Sequence, residues 1–150
     1  MRTYNESAEL SRYLWEQFAI ICTSDEKRVY SAHQGRMKAA NAPHQDRMLR
    51  KMFGDWDDPW IASQLRDGFD VFTAHVVARI NRECSELFYV NRCESCGRIV
   101  ATPKACNCGW CGHDWFGCRD EQNQIAEAAF QRIEDEDREQ VGVGDAEEAV

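Results

Sequence analysis

Two copies of the pattern Cys-x2-Cys-Gly constrain this chain more than any other sequence feature. The copies span residues 93–97 and 108–112, with eleven residues between Cys96 and Cys108. A turn of this kind points both sulfurs inward and backbone N–H groups toward them, and the Gly permits the left-handed backbone that closes it. Two such turns complete a tetrahedron of thiolates. The sequence therefore predicts a metal site with four ligands: Cys93, Cys96, Cys108 and Cys111.

This arrangement resembles the zinc ribbon and, more distantly, the rubredoxin knuckle, in which two such turns on β-hairpins clamp one metal ion. The resemblance covers about residues 88–116. Rubredoxins usually have a much longer insert between the knuckles, so the spacing favours a single zinc ion over an iron centre that carries electrons. Four thiolates leave no open position for water or a substrate, so we expect the zinc to be structural. Such a site argues against metallohydrolase chemistry.

Other potential ligands lie close to the second turn. Cys106 precedes Cys108 by two residues but does not reproduce the C-x2-C-G turn, so we interpret it as a spare thiol. His113 is the less favoured alternative ligand because it lies two residues beyond Cys111, where its ring is badly placed to share the same knuckle. We expect Cys22 and Cys84 to be small core residues of helices. The role of Cys118, as a cover of the ribbon or a surface thiol, is left open.

Apolar periodicity predicts four helices before residue 85, which pack as a small bundle. The pattern places their ends near residue 22, near residue 40, at residue 53 and near residue 84. The fourth helix begins at Pro59 behind the N-cap residue Asp58 and is expected to be the longest, with a candidate bend at Gly68.

The helical period stops after residue 85. β-favouring residues predict short strands at 86–93 and 98–102. A final amphipathic helix is expected to reach about residue 138, with a frayed acidic tail at 141–150. The fold class is thus mainly α with a small β zinc ribbon (α+β). We divide it into an α-helical bundle (1–85), the ribbon (86–118) and an acidic C-terminal helix with a flexible tail (119–150).

Charge is distributed unevenly along the chain, whose net charge is -8. Residues 27–51 carry one acid, and residues 120–150 carry eleven acids against two arginines. The basic stretch has two interpretations, a solvated helix face or a surface for phosphates. Its seven cations are the candidate nucleic-acid contacts: Lys27, Arg28, Arg36, Lys38, Arg47, Arg50 and Lys51. Trp110 and Trp115 either pack the ribbon or contact a partner.

No pattern typical of an active site is found. The three remaining histidines lack the spacing that places two metal ligands on one helix face: His33, His44 and His75. The N-terminus lacks the apolar region of a secretory signal, no apolar run approaches a membrane span, and no small-molecule substrate is evident. We therefore expect a cytoplasmic, non-enzymatic adaptor or regulator that binds another protein, with a nucleic-acid-binding regulator as the alternative.

Overall fold

The computed structural model describes residues 2–144, with side chains described for residues 2–140. The protein is mainly helical, as predicted. The described residues form six α-helices: α1 (Glu6–Gln17), α2 (Ser24–Asn41), α3 (Asp46–Phe53), α4 (Pro59–Gln64), α5 (Phe69–Glu83) and α6 (Arg119–Gly144). They also form three short 3-10 helices: Ala19–Ile21, Pro43–Gln45 and Phe116–Cys118. Within this described part, no helix combines the length and apolar character needed to cross a bilayer.

The described residues divide into two compact units. Unit 1 consists of residues 2–21 and 81–144, and unit 2 consists of residues 22–80. The cysteine-rich segment therefore belongs to the same packing unit as α1 and α6. The two units are defined by tertiary contacts and not by chain order. The domain limits predicted at residues 85 and 118 stay a prediction.

Aromatic side chains join distant parts of unit 1. The buried ring of Phe18 stacks on Phe130 of α6 with 5.2 Å between centroids and meets Phe88 edge to face at 6.5 Å. The hydroxyl of Tyr13 on α1 donates a hydrogen bond to the carbonyl oxygen of Tyr89 over 2.7 Å. Segments far apart in sequence thus share one core, which burial of their apolar surface stabilises.

Unit 2 contains the contact of α2 with α3, and the start of α2 and the end of α3 follow the sequence signals. Thr23 caps α2 through the predicted capping box: its hydroxyl accepts from the N–H of Glu26, whose carboxylate accepts from the N–H of Thr23. Gly54, at φ 99°, ends α3. One cluster of buried residues contributes to its core: Ala32, Ala39, Leu49, Trp56 and Ile61.

Two predicted helix ends are wrong. α1 ends at Gln17 rather than near residue 22, because Phe18 leaves helical geometry (φ -129°, ψ 31°) and places its ring in the core. The expected long helix is two helices, α4 and α5. Gly68 lies between them at φ 104°, a left-handed conformation that ends a right-handed helix. The predicted cap at Asp58 is confirmed, since its carboxylate accepts from two N–H groups of α4.

The predicted strands at 86–93 and 98–102 do not form as strands within the described residues. Arg92 pairs with Ile99 in one isolated antiparallel bridge, and Asn107 pairs with Asp114 in another. Each bridge is a single pair of residues that flanks one cysteine turn. The C-terminal helix extends past residue 138 through Gly144, so the first part of the expected tail is helical. The remainder, residues 145–150, lies outside the described residues.

Candidate metal centre

The four predicted ligands meet at one point of unit 1. The sulfurs of Cys93, Cys96, Cys108 and Cys111 all lie within 4.8 Å of one another. Two pairs join the two turns: Cys93 Sγ lies 3.6 Å from Cys111 Sγ, and Cys96 Sγ lies 3.7 Å from Cys108 Sγ. A tetrahedral ion with ligand bonds of about 2.3 Å separates its sulfurs by about 3.8 Å, whereas a disulfide bond is about 2.05 Å long. The four thiols therefore fit a metal ion, and none of these four forms a disulfide.

The two turns repeat each other's hydrogen bonds fifteen residues apart. Four backbone bonds define them, two to each turn: Gly97 N–H to Cys93 O (2.8 Å), Cys93 N–H to Arg98 O (3.0 Å), Gly112 N–H to Cys108 O (3.0 Å) and Cys108 N–H to His113 O (2.8 Å). Gly97 and Gly112 have φ of 73° and 77°. Both positions need the left-handed backbone for which the sequence predicts glycine. The site therefore has an approximate internal twofold repeat, with one buried and one exposed cysteine from each turn.

Backbone donors favour ionisation of the buried sulfurs. Burial raises the pKa of Cys108, but the N–H groups of Cys111 and Trp110, together with hydrogen bonds from neighbouring thiols, outweigh it and lower this pKa to about 7. The pKa of Cys93 is also lowered, since nearby N–H groups more than offset burial. Although the N–H of Arg98 favours its thiolate, partial loss of solvent around the sulfur and the neighbouring thiols raise the pKa of Cys96 to about 11. Four thiolates this close repel one another, so full ionisation requires a cation among them.

Asn91 fixes the segment between the two turns. Its side chain is buried, and its amide nitrogen donates to the carbonyl oxygens of Thr102 (3.0 Å), Pro103 (3.2 Å) and Ala105 (2.9 Å). Its backbone carbonyl accepts from Val100 N–H over 3.0 Å. Sequence reasoning missed Asn91, and the only signal for it is a polar residue inside a β-favouring run.

Apolar and charged side chains surround the cysteines. Val100 is buried with Cys93 and Cys108, and Trp110 and Trp115 pack against this cluster. The packing interpretation of both tryptophans agrees with this placement, while their contact with a partner stays a prediction. Arg92 donates to the carbonyl of Gly97 (3.2 Å) and braces the first turn.

The other candidate ligands lie outside the four-sulfur group. Cys106 is buried, and its thiol donates to the carbonyl of Lys104 over 3.5 Å. The ring of His113 stacks on Trp115 with 5.8 Å between centroids. Cys118 is exposed in the 3-10 helix that precedes α6. Among the described residues, the four sulfurs are the one group of three or more metal-ligating side chains found.

Two cations of the basic stretch form ion pairs with acids of unit 2, one inside the stretch and three that follow it. Arg50 forms ion pairs with three carboxylates: Asp46 (2.8 Å), Asp55 (2.6 Å) and Asp57 (2.7 Å). Arg28 lies 3.7 Å from a carboxylate oxygen of Asp58. The loop after α3 therefore reduces the positive charge that the sequence pattern presents. A phosphate backbone would have to compete with these carboxylates for both arginines.

The other cations are more available. Lys38 lies over the ring of Phe53, with 4.3 Å from its nitrogen to the centroid. In the part of the chain that the structure describes, no ion pair is found for four exposed cations: Lys27, Arg36, Arg47 and Lys51. Arg47 and Lys51 are one turn apart on α3, where Met52 is 66% exposed beside them.

Comparisons with models of protein families, with curated proteins and with solved structures found no match to this chain.

Proposed function

We propose that the chain is a non-enzymatic, zinc-binding adaptor or regulator that acts through protein-protein interaction in the cytoplasm. The zinc ion has a structural role in this proposal: it holds the two cysteine turns together and so presents the surface around them in a fixed shape. Reduced thiols suit this assignment, because a reducing compartment keeps a dense cysteine cluster available to metal.

The convergence of the four sulfurs carries the proposal. All four corners of the tetrahedron are cysteine sulfurs, so an ion bound there has no position for water or a substrate. A tetrahedral set of four sulfurs suits zinc or iron. The short spacing between the turns, which resembles a zinc ribbon more than a rubredoxin, favours zinc. A closed zinc site stabilises a fold, and binding is the activity that such a fold offers.

Affinity purification from the native host tests the adaptor proposal. The tagged wild-type chain is compared with Cys93→Ser, which removes one buried ligand, and with Cys106→Ser, which removes a buried thiol outside the cluster. We expect one protein to be retained by wild type and Cys106→Ser and lost with Cys93→Ser. Recovery of that protein by all three chains would contradict a role for the metal site, and recovery of no protein would contradict the adaptor role.

Arg47 and Lys51, for which no ion pair is found among the described residues, favour a second candidate, a nucleic-acid-binding regulator that uses the basic 27–51 surface and the ribbon. A gel-shift series at increasing salt tests it, with residues 141–150 deleted to remove acidic repulsion. Replacing both cations with Gln should make the binding constant less sensitive to salt. The slope of log K against log salt concentration should fall by the equivalent of roughly two phosphate contacts. Arg66→Gln is the control, since Arg66 is an exposed cation outside this stretch. Absence of a shift at low salt would end this candidate.

A further inference from the structure

Two methionines lie one turn apart on the exposed side of α3. Met48 is 49% exposed and Met52 is 66% exposed. Residues four apart on a helix are surface neighbours, so the two side chains form one apolar strip. Single apolar residues scattered over a surface are ordinary, but methionine is more often buried, and adaptable methionine side chains are common at binding surfaces. The paired methionines therefore indicate a surface that a partner covers.

The opposite side of α3 fixes this helix in unit 2. Leu49 belongs to the buried cluster of unit 2, and Phe53 packs against that cluster. Arg50 pairs with Asp46 of the same helix and with Asp55 of the loop that follows it. Because α3 is held in this way, a partner meets a preformed surface and loses little conformational entropy in ordering it.

Two cations accompany the methionine strip. Arg47 and Lys51 are exposed, and each immediately precedes one of the methionines in the sequence. Among the residues that the structure describes, no ion pair is found for either cation. Lys51 is one turn from Met48, and Arg47 is one turn from Lys51, so cations and methionines occupy adjoining strips of the helix surface.

The nearby acids do not cancel this positive charge. Residues 36–57 carry five cations and three acids, a net charge of +2. All three acids pair with Arg50: Asp46, Asp55 and Asp57. Arg50 is two residues from each methionine, and residues two apart on a helix lie on opposite sides. The acids are therefore held away from the methionine strip, and positive charge remains beside it.

We propose that this face of α3 binds an acidic amphipathic helix of a partner protein. Apolar side chains of that helix cover Met48 and Met52, and its carboxylates meet Arg47 and Lys51. The two cations are four residues apart, about 6 Å along the helix axis, which matches carboxylates one turn apart on the partner helix.

A nucleic acid suits this face less well. Phosphates would meet the two cations but would leave the methionine strip uncovered, because a phosphate backbone offers no apolar surface. Bases bind by stacking on open aromatic rings. The single aromatic residue of α3, Phe53, packs against the buried cluster instead.

This surface goes beyond the proposed function, because α3 belongs to unit 2 and the cysteine turns belong to unit 1. An adaptor joins two partners and needs two surfaces. The face of α3 supplies a surface that does not depend on the metal, since unit 2 has its own buried cluster.

Fluorescence polarisation with a dye-labelled peptide tests the face of α3 on the zinc-loaded full chain. The probe is an Ala-based helical peptide of about 18 residues, long enough to form a helix, with Leu and Glu on adjoining strips. A second peptide carries Lys in place of every Glu. We expect the Glu peptide to bind, more weakly as salt increases, and the Lys peptide to bind at least about tenfold less tightly.

Variants of the chain then test the two strips separately. Replacing Met48 and Met52 together with Gln should lower the affinity for the Glu peptide about tenfold, because their exposed apolar surface is no longer covered. Lys51→Gln should lower it about two- to fivefold, the usual contribution of an exposed ion pair. Met37→Gln is the matched control, with less than about a twofold change expected.

Met37 suits this purpose because it is similarly exposed, at 53%, but lies on another surface. It is two residues from Gly35, whose added Cβ would meet Phe53 of α3. It therefore lies on the side of α2 that faces away from α3.

Four results would overturn the proposal. They are no binding of the Glu peptide at low salt, an equal loss of affinity with Met37→Gln, a salt-dependent dimer of the chain that the double methionine variant dissociates, and an oligonucleotide that binds more tightly than the peptide and is weakened by Lys51→Gln alone. The third result would place a second copy of the chain on this face, and the fourth a nucleic acid.

Chelation of the metal separates this surface from the adaptor proposal. Peptide binding should persist in chelator, whereas the partner held by the metal site is lost with Cys93→Ser. Loss of peptide binding in chelator would reject an independent surface on α3 and leave the metal-dependent adaptor role standing. Recovery of no protein in the affinity purification, with peptide binding intact, would reject the adaptor role and leave the face of α3 standing.

Discussion

Gly97 and Gly112 are needed for their backbone conformation alone. Each has a positive φ, and a Cβ added at either would meet nothing within 4 Å. We predict that Gly97→Ala or Gly112→Ala lowers the free energy of unfolding by about 1–2 kcal/mol, the cost of a left-handed backbone for a residue with a Cβ. Thermal unfolding of the zinc-loaded protein measures this. Gly109→Ala, with equal space and no positive φ, should be nearly neutral, and an equal loss there would refute the assignment.

Asn91 provides a second prediction for a single residue, on the free energy of unfolding. Asn91→Asp is close in shape but places a carboxylate against three carbonyl oxygens, so it should destabilise more than Asn91→Ala. For the alanine variant we expect a loss of about 2–3 kcal/mol, because buried carbonyls lose their donor. Denaturant unfolding measures both. Asn107→Ala, at an exposed site in the same region, serves as control and should remain within about 0.5 kcal/mol of wild type. Asp tolerated better than Ala would contradict the hydrogen-bond arrangement.

The cysteine turns could be predicted from the sequence, whereas the role of Asn91 could not. The cysteines and their glycines follow a local rule, in which four or five consecutive residues specify the turn. The sequence therefore predicts that the four cysteines come together, and the structure brings their sulfurs together. Asn91 acts on carbonyl groups 11 to 14 residues further along the chain. Its partners are determined by tertiary folding, and no local pattern indicates them.

At the scale of elements, the contact of α2 with α3 depends on Gly35. Helix propensity alone predicts that Gly35→Ala stabilises α2 by about 1 kcal/mol. The structure predicts the opposite, because the added Cβ would lie 2.6 Å from Cβ of Phe53. We expect a loss of about 1–3 kcal/mol in the free energy of unfolding, typical of an overpacked core. Ala40→Gly, at an exposed position of the same helix, should lose about 1 kcal/mol by propensity. A gain with Gly35→Ala would contradict the packing.

Helix starts were easier to predict than helix ends. The caps at Thr23 and Asp58 are local hydrogen bonds, and the sequence pattern indicates them directly. The end of α1 and the break at Gly68 depend on which way the chain must turn to bury its apolar residues. A glycine in a helical pattern is compatible with a bend or a stop, and packing decides between them.

For the whole molecule, the division into two units predicts an uneven response to metal removal. Unit 2 has its own apolar core, whereas the cysteine turns lie in unit 1. Chelation should therefore increase hydrogen exchange first in residues 88–116 and their packing partners in unit 1, while residues 22–80 retain protection. Mass spectrometry of the exchanged peptides measures this. Equal loss of protection in both units would contradict the division.

The sequence could not predict that α1 packs with the C-terminal half of the chain. Amphipathic stripes indicate which face of a helix is buried but not what it is buried against. Neither the apolar stripe of α1 nor that of α6 identifies its packing partner. The two segments meet at the Phe18–Phe130 stack, whose residues are more than a hundred positions apart in the chain.

Metal content of the purified chain and two cysteine variants tests the central claim most directly. We predict one zinc per chain and a colourless protein for wild type and for Cys106→Ser, whose buried thiol lies outside the cluster. Cys108→Ser, which removes an equally buried ligand, should lose zinc on dialysis and unfold at lower temperature. Retention of a full equivalent of zinc by Cys108→Ser, or a red, iron-loaded wild-type protein, would contradict the account.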